Sequence, residues 1–146
     1  MFKLDLARAR DVELAFVKEI LKPWVVRIEM PSDEEQFKDR DIKVTYKDGK
    51  EVTFEVKGCP RANEYGSIPF ESECNGEPSG IFASKADYVV YYFDDTWYYQ
   101  DRWKLLHDLV SVNKYETFWW DGDRAKMYVV DLEVAKLLFK KLKDNS

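Results

Sequence analysis

The chain has 146 residues, 45% hydrophobic and 35% charged, and its 23 Lys and Arg against 28 Asp and Glu leave a net charge of −5. That length and mixture suit one folded domain over residues 1–146 and exclude an intrinsically disordered chain. No apolar run reaches the roughly 18 residues of a membrane span, and the N-terminus lacks the apolar core of a signal peptide, so a cytoplasmic protein is expected.

Residues Asp11 to Lys22 fit an amphipathic helix, because Val12, Phe16, Ile20 and Leu14, Val17, Leu21 recur at helical spacing. Pro23 stops it. Trp24 to Met30 reads as a strand, followed by the polar turn Pro31-Ser-Asp-Glu-Glu. A β-hairpin is expected over about residues 40–58, from the strands Asp41-Ile-Lys-Val-Thr-Tyr and Glu51-Val-Thr-Phe-Glu-Val-Lys57. A turn-rich loop from Gly58 to Gly66 leads to an extended piece, Ser67 to Cys74, and a second loop, Asn75 to Gly80. A short helix is expected at Ile81 to Lys85, then a buried strand from Asp87 to Phe93 carrying the run Tyr88-Val-Val-Tyr-Tyr-Phe. Gln100 to Val112 reads as a helix with Trp103, Leu106 and Val110 on its apolar face. Met127 to Val130 reads as a strand and Leu132 to Leu142 as a basic amphipathic helix. This order suits a mixed sheet flanked by helices.

The hairpin carries the chemistry. A three-residue turn, Lys47-Asp48-Gly49 with Gly49 left-handed, pairs Tyr46 with Lys50 and, counting back, Thr45 with Glu51, Val44 with Val52, Lys43 with Thr53, Ile42 with Phe54 and Asp41 with Glu55. One face is then wholly apolar (Ile42, Val44, Val52, Phe54, Val56) and the other wholly polar (Asp41, Lys43, Thr45, Glu51, Thr53, Glu55, Lys57). A two-residue turn would put apolar residues opposite polar ones, so that register is rejected. Directly opposed carboxylates lie roughly 5 Å apart, close enough to share a metal ion, and a cation or Lys57 offsets their repulsion. Two carboxylates beside a lysine, in a cleft, can hold a divalent cation and act on a phosphodiester. A solvated hairpin also carries Glu, Lys and Thr on its outer face, and Glu-x-Lys alone is weak.

With these residues in place, the chain resembles the PD-(D/E)XK nuclease superfamily, whose members include restriction endonucleases and archaeal Holliday-junction resolvases. The resemblance rests on an N-terminal helix with a glutamate, then Asp41, then Glu55-Val56-Lys57, and covers roughly residues 10–112. The stretch Gly76-Glu-Pro-Ser-Gly-Ile-Phe-Ala-Ser-Lys-Ala-Asp-Tyr-Val-Val-Tyr91 looks like the segment after the active lysine in small phage-type members, where a short helix leads into a core strand. Arg40 stands before Asp41 where the signature has proline.

The resemblance implies a restriction-endonuclease-like α/β/α core with a mixed central sheet flanked by helices. It implies that Asp41 and Glu55, with the backbone carbonyl of Val56, ligate Mg²⁺ or Mn²⁺, and that Lys57 orients the attacking water or stabilises the phosphorane oxygens. Glu13 resembles the extra glutamate that completes the site in some members, with Glu19 as the alternative. DNA is the implied substrate, cleavage leaves a 5′-phosphate, and a homodimer suits paired cuts on two strands.

Other residues carry less. Asp39, opposite Lys57 in this register, is expected as a neighbour or ion-pair partner; Glu71 and Glu73 read as surface carboxylates, with a place at the border of the cleft as the functional alternative; Ser79 is a candidate cap for the short helix; and Lys85 reads as an exposed helical lysine, with a phosphate contact beside Ser84 as the alternative. The lone histidine, His107, disfavours histidine triads and histidine-rich metal sites. Cys59 and Cys74 form no framework and read as reduced thiols. Trp97-Tyr-Tyr, Trp103 and Phe118-Trp-Trp120 read as core or interface, with a dimer patch, a DNA-end wedge or stacking on unpaired bases as the functional alternatives.

The net charge keeps a different class in view: a non-catalytic acidic binding protein or inhibitor of a nucleic-acid enzyme. A metal-dependent phosphatase is weaker, since it usually needs a further His or Asp cluster.

Overall fold

The computed structural model describes residues 5–21, 25–30, 42–112, 115–120 and 122–142. Helix α1 (Asp5–Phe16) runs into a π-helical turn, Val17–Leu21, and strand β1 (Val25–Glu29) follows. The hairpin is β2 (Ile42–Tyr46) and β3 (Glu51–Gly58). Then come α2 (Ala62–Tyr65), β4 (Ser67–Cys74), β5 (Glu77–Pro78) and a 3₁₀ turn at Gly80–Phe82. The chain continues as β6 (Tyr88–Phe93), β7 (Thr96–Asp101), α3 (Arg102–Leu109), β8 (Tyr115–Trp120), β9 (Asp123–Asp131), α4 (Leu132–Leu138) and β10 (Lys140–Lys141).

Two sheets result. The larger is mixed, with order β1-β2-β3-β6-β7-β10, and the smaller is antiparallel, β5-β4-β9-β8. In the larger, β3 and β6 are parallel, and the other neighbours are antiparallel. The segment joining β3 to β6 supplies α2, β4, β5 and the 3₁₀ turn, so the crossover itself builds half of the second sheet.

The hairpin has the expected register: Ile42 faces Phe54, Lys43 Thr53, Val44 Val52 and Thr45 Glu51. Gly49 has φ +86°, its N–H donates to the Tyr46 carbonyl, and the Tyr46 N–H donates to the Lys50 carbonyl at 2.9 Å. Asp48 Oδ1 accepts from the Lys50 N–H, which fixes the turn from the side. The left-handed third turn residue is why glycine stands there.

The apolar face of this hairpin meets α1. Phe16, Ile20 and Leu21 are buried against Ile42, Val44, Val52, Phe54 and Val56, with Val90 and Trp97 completing the layer. The helix comes so close at Gly58 that a Cβ there would lie 2.8 Å from a Val12 methyl. On the other face of the sheet, Val89, Tyr91, Phe93 and Tyr98 pack with Ile68, Phe70 and Val130 of the second sheet and with Leu105, Leu109 and Ala135 of α3 and α4. The flank opposite α1 is therefore a four-stranded sheet with two helices rather than helices alone.

Several expectations change. The first helix begins earlier, and its last turn widens to a π form before residue 22. A second strand, β7, follows β6 through a turn in which Asp94 and Asp95 both have positive φ (52° and 55°), the geometry of a two-residue hairpin. The helix expected from Gln100 begins at Arg102 and buries Arg102, Leu105, Leu106 and Leu109, spaced i, i+3, i+4, i+7. Trp103 and Val110 of the expected face are exposed. The short helix is a 3₁₀ turn, α2 stands in the expected loop, and β8 fills a stretch read as an aromatic cluster. The last helix ends at Leu138, and Lys140–Lys141 pairs with β7.

The β6–β7 turn is tied down by charge. Asp94 accepts from Lys136 Nζ at 2.9 Å and from Asn63 Nδ2 at 3.0 Å, and these bonds hold its carboxyl below the ordinary 3.8. A lowered carboxyl stabilises the fold above its unfolded pKa and loses that contribution as pH falls through the folded value. Asp94→Asn keeps a residue that tolerates positive φ while removing the charge. Its melting temperature should lie below wild type at pH 6, and the gap should close as pH drops well below 3.8; a gap independent of pH would show that the ion pair is not the cause.

Candidate active site on the central hairpin

Glu55 and Lys57 occupy alternate positions on β3, so both side chains leave the sheet on the face opposite α1, while Val56 between them is buried on the α1 side. Lys57 Nζ lies 3.5 Å from Glu55 Oε2; the lysine side chain is 46% exposed and the glutamate 12%. A nearly covered carboxylate with a cation reaching past it to solvent can neutralise or bind a charged group from one side.

Its surroundings explain that cover. Glu55 and Lys57 lie beside Val89 and Tyr91 in the parallel register. Tyr91 is buried against Phe70, with ring centroids 5.2 Å apart, and its hydroxyl titrates well above the usual range, first from burial and then from Cys59 and Glu55. Cys59 is pushed up to about 12 by burial, which outweighs the opposing Lys57 ammonium. A thiol held there stays protonated near neutrality and is a poor nucleophile.

The remaining expected site residues are dispersed. Asp41 and Asp39 lie outside the described residues. Glu13 is half-buried on α1, which covers the apolar face of the hairpin. Glu19 accepts a hydrogen bond from Trp97 Nε1 at 3.2 Å, which commits it to the α1 layer. On β4, Glu71 is partly buried and Glu73 pairs with Lys126 at 3.2 Å. Ser79 precedes the 3₁₀ turn without a side-chain cap bond, and its Oγ is buried with no partner among the described residues, so the capping expectation fails. Ser84 is buried and its Oγ accepts from the Ala86 N–H. His107 is 83% exposed, beside Asp108.

Among the described residues no three His, Cys, Asp or Glu side chains converge as a metal-ligand group. Glu55 and the Val56 carbonyl are hard oxygen donors of the kind Mg²⁺ prefers, so the donor chemistry of these two groups fits such an ion.

A cavity of about 420 Å³ opens at the turn end of β3, beside Glu51 and Val52. Lining it is a residue that sequence reading passed over: Arg102, 7% exposed, whose cation interrupts what would otherwise be an apolar helical stripe. Comparison of the chain with family models, curated proteins and solved structures finds no match.

Proposed function

We propose that the chain is a metal-dependent endonuclease of the PD-(D/E)XK type, acting on DNA of branched or other defined structure and built on a restriction-endonuclease-like core. The observation that carries this reading is the hairpin register. As far as Ile42 opposite Phe54 it is the register expected from the sequence, the one in which Asp41 is expected to face Glu55, beside Lys57, and that agreement supports the reading. The order of α1, the hairpin and the later core strand β6 also supports the reading.

In this reading Asp41, Glu55 and the Val56 carbonyl hold Mg²⁺ or Mn²⁺. When bound, such an ion lowers the pKa of a coordinated water and offsets charge on the scissile phosphate. Lys57, half-exposed and 3.5 Å from Glu55, orients the water or donates to the phosphate oxygens. Glu13 and Glu19 belong to the helical layer on the opposite face of the hairpin, and Glu19 is bonded to Trp97, so neither is assigned a part in this reading. A homodimer belongs to the proposal, and the edge strand β8, with Tyr115 and Trp119 exposed, is where a second copy would meet the first.

The net charge of −5 favours the second reading, a non-catalytic acidic binding protein. Incubating supercoiled plasmid and a synthetic four-way junction with Mg²⁺, Mn²⁺ or EDTA separates the two. Metal-dependent cutting that Lys57→Ala lowers by roughly a hundredfold is expected. No cutting of either DNA, with no Mn²⁺ binding by calorimetry, would sink the nuclease and promote the binding protein.

A further inference from the structure

The 420 Å³ cleft at the turn end of β3 brings together three cations and an exposed indole: Lys50 from the hairpin, Lys85 from the segment before β6, and Arg102 and Trp103 from the start of α3. Three carboxylates also line it, and each is already engaged by the fold. Glu51 pairs with Lys43 at 3.4 Å. Asp87 Oδ2 accepts from the Thr53 N–H at 2.9 Å and from its hydroxyl at 3.2 Å, joining the starts of β3 and β6. Asp101 Oδ1 accepts from the Lys104 N–H at 3.0 Å, capping α3.

Asp87 and Asp101 are held by neutral donors and keep their charge, whereas the two lysine side chains are held by no partner among the described residues and are free to turn toward an anion. The side chains of Lys50 and Lys85 are exposed and pair with no carboxylate among the described residues. Arg102 is buried and donates from Nε to the Ile81 carbonyl at 2.8 Å and from Nη2 to the Phe82 carbonyl at 3.0 Å. No carboxylate pairs with it among the described residues. A guanidinium withdrawn from water and met only by neutral carbonyls through Nε and Nη2 gains from an added anion, with the Nη1 N–H groups as the donors that these two bonds do not use. Its carbon lies 4.9 Å over the Trp103 ring, yet Trp103 remains 73% exposed. An exposed indole backed by an arginine is a stacking platform for an unpaired base. The volume falls within the range of small-molecule sites, roughly 300–1,000 Å³.

From this arrangement we infer that the cleft is a nucleoside monophosphate site, taking a phosphate between Lys50, Lys85 and Arg102 and stacking the base on Trp103. The occupant is a free mononucleotide or the 5′-phosphorylated end of a DNA strand. The site stands apart from the proposed catalytic residues: Glu51 at its wall is four residues from Glu55, about 13 Å along the strand. It does not depend on the nuclease reading.

Calorimetry of the full chain in EDTA, with deoxyadenosine monophosphate, deoxyadenosine, inorganic phosphate and an oligonucleotide with or without a 5′-phosphate, tests it. The monophosphate should bind more tightly than deoxyadenosine or phosphate alone. The double variant Lys50→Glu, Lys85→Glu should weaken it roughly tenfold or more, and Trp103→Ala roughly tenfold while leaving phosphate unchanged. Both changes fall on exposed side chains; Arg102 stays intact because it holds the 3₁₀ turn. Binding of the phosphorylated oligonucleotide in preference to its unphosphorylated twin assigns a strand end, and binding of the mononucleotide alone assigns a free nucleotide. Glu55→Gln should bind as wild type, which separates this site from the catalytic proposal. No heat from any ligand at millimolar concentration, or binding that neither variant alters, would overturn the inference.

Discussion

Glu55→Gln should leave the fold intact and lower metal-dependent DNA cleavage by roughly two to three orders of magnitude, the scale of losing one pre-positioned charged or hydrogen-bonding group in an active site. The substitution preserves shape where it matters, since the Glu55 side chain is only 12% exposed. The ion pair to Lys57 is lost, but Lys57 is 46% exposed and rehydrates, so little stability should go with it. Plasmid cleavage with Mn²⁺, read against a melting curve of each variant, checks both halves. The informative control is Glu19→Gln: its carboxylate is bonded to Trp97 on the other face of the sheet, so cleavage should be unchanged. Equal loss in both variants would point to a general effect on folding, and retained cleavage by Glu55→Gln would remove Glu55 from the site.

The hairpin was legible because two independent signals agreed there. Strict alternation from Ile42 to Lys57 fixed the faces, and Gly49 at the third turn position fixed the register. The following strand, β7, was not legible. Its turn uses Asp94 and Asp95 at positive φ, where glycine or asparagine is the usual signal, and aromatics on both faces of Trp97-Tyr-Tyr hide the period of two. The buried side of α3 was misread for a related reason: Arg102 is part of the stripe, and a scan for apolar spacing prefers Trp103. Within the candidate site, Glu55 and Lys57 could be placed together from sequence because one strand holds both. The nucleotide cleft could not, since the hairpin, the segment before β6 and the start of α3 meet only after folding.

The same logic of long-range packing makes Phe70 a costly side chain to remove. Phe70 is fully buried on β4 of the second sheet, and its ring stands 5.2 Å from Tyr91 of the central sheet and 6.2 Å from Phe139 after α4. Phe139 in turn contacts Tyr91, Phe93 and Tyr98, so these rings join both sheets to the C-terminal segment. Phe70→Ala should cost about 3–5 kcal/mol through lost transfer energy and a cavity that rigid neighbours cannot close. That is a large share of the roughly 5–15 kcal/mol that stabilises a typical domain. Urea unfolding followed by tryptophan fluorescence and by far-ultraviolet dichroism measures it, and the two probes should still move together because the sheets share this core. Leu137→Ala, at a side chain 83% exposed, is the matched control and should fall within about 0.5 kcal/mol of wild type. A Phe70→Ala cost below about 1 kcal/mol would mean the second sheet docks loosely on the first. Tyr91 would then not be held in the dry layer that raises its hydroxyl, and the cover over Glu55 would have to come from elsewhere.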